Sequence, residues 1–222
     1  HPGGRQPLVV VEAAPRGGWR VGAKRALDVV VATTALLVVA PVLLAPLLLV
    51  AMVLVKRDSP GPALFRQRRV GQDGVPFTIF KLRTMVVDAE AQRAELLDRN
   101  EADGPLFKLS EDPRVTRVGR VLRKLSIDEL PQLVNVVRGH MSLVGPRPAL
   151  PAEVDGWPPE LHDRLRVRPG ITGLWQVSGR SDCSFDDYAR YDLYYVDNWS
   201  LATDLAILVR TIPIVLWGNG AR

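Results

Sequence analysis

The stretch "VVVATTALLVVAPVLLAPLLLVAMVLV", residues Val29 to Val55, constrains this chain more than any other feature. It runs for 27 residues without a charge, against about 20 for one helical crossing of a bilayer. Lys24 and Arg25 precede it and Lys56 and Arg57 follow it. Positive charge prefers the cytoplasmic side, so both ends ask for the same side of a membrane. Two crossings would need roughly 40 residues. Pro41 and Pro46 fall near the middle, where each removes a helical hydrogen bond and favours a kink. The geometry that satisfies all of this is a broken helix that dips into one leaflet and returns. The carbonyls freed at Leu37 and Val42 would then need partners from side chains or neighbouring helices. An ordinary spanning helix with a proline kink is the alternative.

The chain of 222 residues is long enough for one domain with a core, or a small domain with an appendage. Its net charge of +5 and pI of about 9.7 suit nucleic acid, anionic lipid or phosphorylated substrates without choosing among them. A single cysteine, Cys183, excludes an internal disulfide and fits a reducing compartment. His1, His140 and His162 are far apart, and no zinc spacing, GxxxxGK[ST] loop or GxGxxG fingerprint occurs. Residues 1–20, rich in Pro, Gly and Arg, read as a linker. Residues 21–57 read as the membrane segment and 58–222 as the domain that follows it, on the cytoplasmic face by the positive charges at both ends of the apolar run.

Within that domain "DSPGP" marks a joint. Ala63–Arg69 and Val75–Arg83 read as strands of a hairpin around "GQDG". Ala89–Arg99 reads as a charged helix and "NEADGPLF" as a loop. Arg114 to Lys124 reads as a helix placing Arg117, Arg120 and Arg123 on one side. That positive strip, a solvated face or a grip on anionic lipid heads, leads to "LSIDELPQL". There Ser126 and Glu129 fit a capping box, or Asp128 caps the helix with Pro131 in its first turn. Leu130, Leu133, Val134 and Val137 then share a face that Gly139 ends. A helix start at Asp128 favours its ionised form.

Two proline-framed arginines follow, Arg147 in "GPRP" and Arg168 in "RPG", suited to phosphate or to structural pairing with Asp155, Asp163 or Asp182. Pro169-Gly170 fits a type II turn. "ITGLWQVSGR" supplies Trp175, Gln176 and Arg180 in a glycine-punctuated loop. Ser184 with Asp187 caps the helix "FDDYARYDLYYV". Leu201 to Trp217 is nearly uncharged, with Leu201, Leu205, Leu208, Ile212 and Val215 or Leu216 in a stripe. Tyr191, Tyr194, Tyr195, Trp199 and Trp217 flank it, as in an interfacial or a buried core helix.

Taken together, "KLRTM", "DPRVTRVGRVLRKLSIDELPQLVNVVRGHMSLVGPRPAL", "RPGITGLWQVSGR" and "YDLYYVDNWSL" resemble the monotopic phosphoglycosyl transferases of bacteria. The nearer branch resembles the exopolysaccharide polyprenyl hexose-1-phosphate transferases, and the resemblance covers about Lys24 to Leu216. It implies a helix-rich α+β protein with a small hairpin, a re-entrant helix and interfacial amphipathic helices at the bacterial inner membrane. It implies transfer of a sugar-1-phosphate, glucose or galactose, from a UDP-sugar to polyprenyl phosphate with release of UMP. Asp128 would be the nucleophile and Glu129 its partner, both associated with Mg2+. Arg123, Arg147 and Arg168 would meet phosphate, with Lys81, Arg83, Gln176 and Arg180 as further substrate-binding candidates. Pro46 matches the family's Ser-Pro break, but Ala45 stands where serine is expected and Pro41 is extra. Anionic lipids and a second copy of the chain are candidate partners; nucleic acid is not, because the aromatics lie away from the basic residues. Two rivals stand beside this reading: a glycosyl transferase releasing UDP, and a non-catalytic membrane-tethered module binding acidic polymers.

Overall fold

The computed structural model describes residues 19–35, 37, 45–101, 107, 109, 111–178 and 184–217. The apolar run is divided between two helices, α1 (Trp19–Thr34) and α2 (Ala45–Asp58). Pro41 and Val42 lie outside the described residues. Pro46 is the second described residue of α2. No described helix is long and apolar enough to cross a membrane.

Each helix is tied to the rest of the chain near its charged end. On α1, Arg25, Asp28 and Ala32 share the inward face. The Arg25 guanidinium donates to the carbonyls of Val136 and Val137 at 2.7 and 3.0 Å. Asp28 accepts from Ser142 Oγ at 2.8 Å and from the Leu143 amide at 3.2 Å. Lys24 pairs with Asp204 at 2.5 Å. The other face of α1 leaves Leu27, Val30 and Val31 exposed. On α2, Ala51 and Val55 are buried against Ala63, Leu82 and Leu122, while Leu49, Val50, Val53 and Leu54 are exposed.

The antiparallel hairpin β1 (Leu64–Val70) and β2 (Pro76–Leu82) pairs Leu64 with Leu82 through Val70 with Pro76. Asp73 and Gly74, both at positive φ, turn the chain between them. A 3-10 helix covers Ala91–Arg99. Helix α3 (Arg117–Lys124) starts later than its sequence pattern predicts, because Thr116 caps it by accepting from the Gly119 amide at 3.0 Å. Arg114 therefore lies outside the helix, buried and locked to Asp112 at 2.6 Å. A 3-10 helix (Ile127–Gln132) leads into α4 (Leu133–Val137), and Gly139 at φ +84 ends the segment as expected.

The capping box predicted at Ser126 does not form. Ser126 adopts φ 54 and ψ 20 and makes no side-chain cap; only its carbonyl receives the Glu129 amide, at 3.3 Å. Strands β3 (Ser142–Val144) and β4 (Gly170–Thr172) pair in parallel. Gly170 is not at positive φ, so Pro169-Gly170 is not a type II turn; the chain goes straight into β4. Glycine is needed there for space, since a Cβ would come 2.1 Å from the Gly145 nitrogen. Helix α5 (Pro151–Asp155) follows β3, and α6 (Leu174–Ser178) occupies part of the expected "ITGLWQVSGR" loop.

Helix α7 (Phe185–Asp197) begins at Ser184, which accepts from the Asp187 amide at 3.2 Å. Helix α8 (Leu201–Trp217) has the predicted bounds, with Pro213 inside. Its Leu205, Val209 and Ile212 are exposed, while Asp204 and Ile207 are buried. Tyr195, one of the expected interfacial aromatics, is instead buried and donates to Asp204 at 2.8 Å. The main core joins α1, the hairpin, α4, β3, α7 and α8 through Ala32, Ile79, Val136, Met141, Tyr195 and Ile207. The chain is thus helix-rich α+β, with two small two-stranded sheets among the described residues.

Candidate active site

Three segments converge on Asp128. Strand β2 contributes Lys81, the segment just after the strand carries Thr84, and α3 carries Arg123 in its last turn. Between Arg123 and Asp128 the chain reverses at Ser126. A serine in left-handed backbone is uncommon and costs of order 1 kcal/mol or more. The sharp turn brings Asp128, early in the 3-10 helix, back beside the end of α3.

Asp128 is 7% exposed. Burial pushes its carboxyl above the ordinary value, and Glu129 adds to the push. Lys81 and Arg123 pull the other way. The net direction is opposite to the helix-start expectation, because the cost of desolvating a carboxylate outweighs a helix of barely two turns. Glu129 is more open and pairs with Lys81 at 2.7 Å. Arg123 donates from Nε to Thr84 Oγ1 at 3.0 Å. This arrangement combines a desolvated carboxyl with two cations near enough to act on its charge, a setting in which an ionised nucleophile is reactive and phosphate charge is offset.

The other predicted substrate-binding residues are held elsewhere by protein partners. Arg83 is buried and donates to the carbonyls of Pro60 and Ser59 at 2.6 and 2.8 Å, clamping the joint after α2. Arg147 pairs with Glu153 at 3.1 Å, not with Asp155 or Asp163; Asp182 lies outside the described residues. Arg168 donates from Nε to Gly139 O at 3.1 Å. Gln176 donates to Ile171 O at 3.3 Å from within α6. Arg180 lies outside the described residues. No group of three or more metal-ligating side chains occurs among the described residues. Mg2+, however, is commonly held by one or two carboxylates together with substrate phosphates, and the adjacent Asp128 and Glu129 fit that donor set.

A family model described as bacterial sugar transferase matches residues 19–218. The chain belongs to the bacterial sugar transferase family. It is 45% identical over 211 residues to the exopolysaccharide production protein ExoY of Rhizobium meliloti, covering 93% of this chain and 90% of that protein. It is 46% identical over 231 residues to the UDP-glucose:undecaprenyl-phosphate glucose-1-phosphate transferase of Caulobacter vibrioides, covering 100% of this chain and 76% of the relative. The undecaprenyl-phosphate galactose phosphotransferase of Salmonella typhimurium is 42% identical over 206 residues, 89% of this chain but 41% of that protein. The chain therefore spans less than half of some curated relatives and most of others.

In this bacterial sugar transferase the residues that sequence reading missed are those that set the geometry around the carboxylate. Thr84 orients Arg123. Gly119 lets α3 sit directly on the Thr84 backbone, where a Cβ would come 2.0 Å from the carbonyl oxygen. Asn135 fastens α4 to β2 by accepting from the Phe80 amide at 3.2 Å and donating to Thr78 O at 2.7 Å. Thr84 was visible only as a member of "KLRTM", and an isolated Asn or Gly carries no pattern of its own.

Proposed function

We propose that this protein transfers a hexose-1-phosphate from a UDP-sugar to undecaprenyl phosphate through a covalent intermediate on Asp128. The observation that carries the reading is the buried Asp128 carboxyl flanked by Lys81, Arg123 and Glu129, in a chain of this family. The Asp128 carboxylate attacks the phosphorus bearing the sugar. The bond from that phosphorus to the bridging oxygen breaks, and UMP leaves with the oxygen and the electron pair. An oxygen of the polyprenyl phosphate then attacks the same phosphorus and frees the carboxylate, giving a polyprenyl diphosphate sugar. Dividing the reaction spares one anion from attacking another directly across two full phosphate charges. Lys81 and Arg123 offset charge on the donor, and Thr84 keeps Arg123 in place. Glu129 and Asp128 would hold Mg2+, which when bound supplies charge neutralisation to the phosphates.

The reaction needs a lipid phosphate, and the apolar segment fits a re-entrant element that keeps the site at headgroup level on the cytoplasmic face. Supporting this, Lys24 and Arg25 at one end of the segment and Asp58 at the other are all tied to one folded body. Lys24 and Arg25 bind α8 and α4, and Asp58 accepts from the Val118 amide of α3 at 2.8 Å. A chain that leaves a body and returns to it ends on the side where it began.

The nucleotide product tests the reaction. With UDP-glucose or UDP-galactose and undecaprenyl phosphate, phosphoglycosyl transfer releases UMP. Release of UDP would mean sugar–oxygen cleavage and a glycosyl transferase; no nucleotide release with any UDP-sugar would favour a binding module.

A further inference from the structure

The unpaired positive charge of this protein is not confined to the strip that its sequence suggests, where Arg117 and Arg120 are exposed on α3. Arg114 is neutralised by Asp112, and Arg123, held by the Thr84 hydroxyl, serves the Asp128 site. A different cluster forms where the hairpin meets the turn after α4. Arg66 lies opposite Phe80 and Arg68 opposite Thr78 across the hairpin, so these four residues share one face of it. Arg138 and His140 come from the turn after α4, which Asn135 fixes onto the same strand. Together with Gln67 they line an open groove of about 530 Å³.

Arg66, Arg68, Arg138 and His140 are all exposed. None of the three arginines has a carboxylate partner among the described residues. Two are nonetheless held in place by one ring: the Arg66 and Arg138 guanidinium carbons lie 5.8 and 5.5 Å from the Phe80 centroid. Stacking on an aromatic ring fixes a guanidinium at little entropic cost and leaves its N–H donors free. Like charges brought from positions 66 and 138 onto one side chain, with no acid between them, form a preorganised receptor for an anion. Guanidinium N–H groups match phosphate oxygens two at a time, and Thr78 adds a hydroxyl. Lys81, adjacent to Phe80, leaves the strand on the opposite face and serves Glu129. The groove is therefore separate from the Asp128 carboxylate.

We propose that the groove lined by Arg66, Arg68, Thr78, Phe80, Arg138 and His140 is an accessory phosphate-binding site. Its ligand is a phosphate mono- or diester, either an anionic lipid headgroup or a soluble phosphate. The proposal does not depend on the transfer reaction, and its test reads binding alone.

The full chain, as wild type and as the triple variant Arg66→Gln, Arg68→Gln, Arg138→Gln, is measured in two arms. One arm is co-sedimentation with phosphatidylcholine vesicles with and without phosphatidylglycerol. The other is calorimetric titration with inorganic pyrophosphate. A lipid site predicts that the triple variant loses the phosphatidylglycerol-dependent gain, on the order of 100-fold for three arginines, and keeps its binding to phosphatidylcholine. A soluble-phosphate site predicts loss in the pyrophosphate arm that the Lys81→Gln variant does not share. The triple Lys variant at the same positions keeps the charge and retains binding, which separates loss of charge from loss of fold. Wild-type behaviour of the triple Gln variant in both arms overturns the proposal. So does pyrophosphate binding lost in Lys81→Gln but not in the triple Gln variant, with no phosphatidylglycerol-dependent difference.

Discussion

Gly119→Ala tests whether the close seating of α3 on the strand that carries Lys81 sets the active-site geometry. The added Cβ would lie 2.0 Å from Thr84 O, 2.7 Å from its carbonyl carbon and 2.8 Å from its Cα. All three are backbone atoms that cannot swing aside. Cβ contacts below 3.0 Å essentially do not occur, so α3 must retreat by about 1 Å. Arg123 sits one turn along the same helix and loses its alignment with Thr84 and Asp128. A misplacement of that size costs about 100-fold in turnover. Stability should also fall. Overpacking costs about 1–3 kcal/mol, and weakening the Thr116 amide bond to Thr84 O adds about 1 kcal/mol. The better helix propensity of alanine returns about 1 kcal/mol. The net loss of about 1–3 kcal/mol lowers Tm by roughly 2–12 °C for a chain of this size. Nucleotide release at saturating donor and thermal melting in detergent measure the two effects. Gly22→Ala is the control, because its Cβ meets nothing within 4 Å. A Gly119→Ala protein with wild-type turnover and Tm would refute the idea that this contact positions Arg123.

Three further outcomes follow from the same site and its surroundings. Lys81→Gln removes a charge that lowers the Asp128 pKa, so the acidic limb of the pH–rate profile should move to higher pH; an unmoved limb would contradict that coupling. Burial raises the Asp128 pKa above its unfolded value. The folded chain therefore binds this proton more tightly, and stability falls as pH rises from the unfolded value through the folded one. Asp128→Asn should then melt higher than wild type near pH 7, with the difference shrinking below about pH 4; melting curves at both pH values decide it. Asp192→Ala strands Arg164, which pairs with Asp192 at 2.6 Å with both side chains 1% exposed and lies between Trp157 and Tyr188. The expected loss is about 3–5 kcal/mol, read by chemical denaturation.

Periodicity and turn residues made most elements legible from the sequence. The hairpin, α7 with its Ser184 cap, and α8 all announce themselves within a short window. Site geometry was less legible, because it depends on contacts distant in sequence. The stretch from Ser126 reads as an ordinary capped helix, yet tertiary packing draws Ser126 into left-handed backbone and turns Asp128 inward. Arg147 and Arg168 look preorganised for phosphate because prolines frame them. Proline fixes the backbone but does not choose a partner, and Glu153 and the Gly139 carbonyl occupy these side chains. Spacing of three does place Arg117, Arg120 and Arg123 on one helix, with Arg117 and Arg120 exposed, but Thr116 starts that helix after Arg114, which Asp112 neutralises. The groove around Phe80 has no local signature, since its arginines come from positions 66, 68 and 138.

Intact-mass measurement after mixing enzyme with UDP-glucose or UDP-galactose, without lipid acceptor, reaches the central claim most directly. Wild-type protein should gain one hexose phosphate, release an equivalent of UMP, and lose the added mass when undecaprenyl phosphate is supplied. Asp128→Asn should gain nothing. An adduct on the Asp128→Asn protein, or transfer by the wild type with no adduct and no UMP before the acceptor arrives, would contradict a covalent role for Asp128.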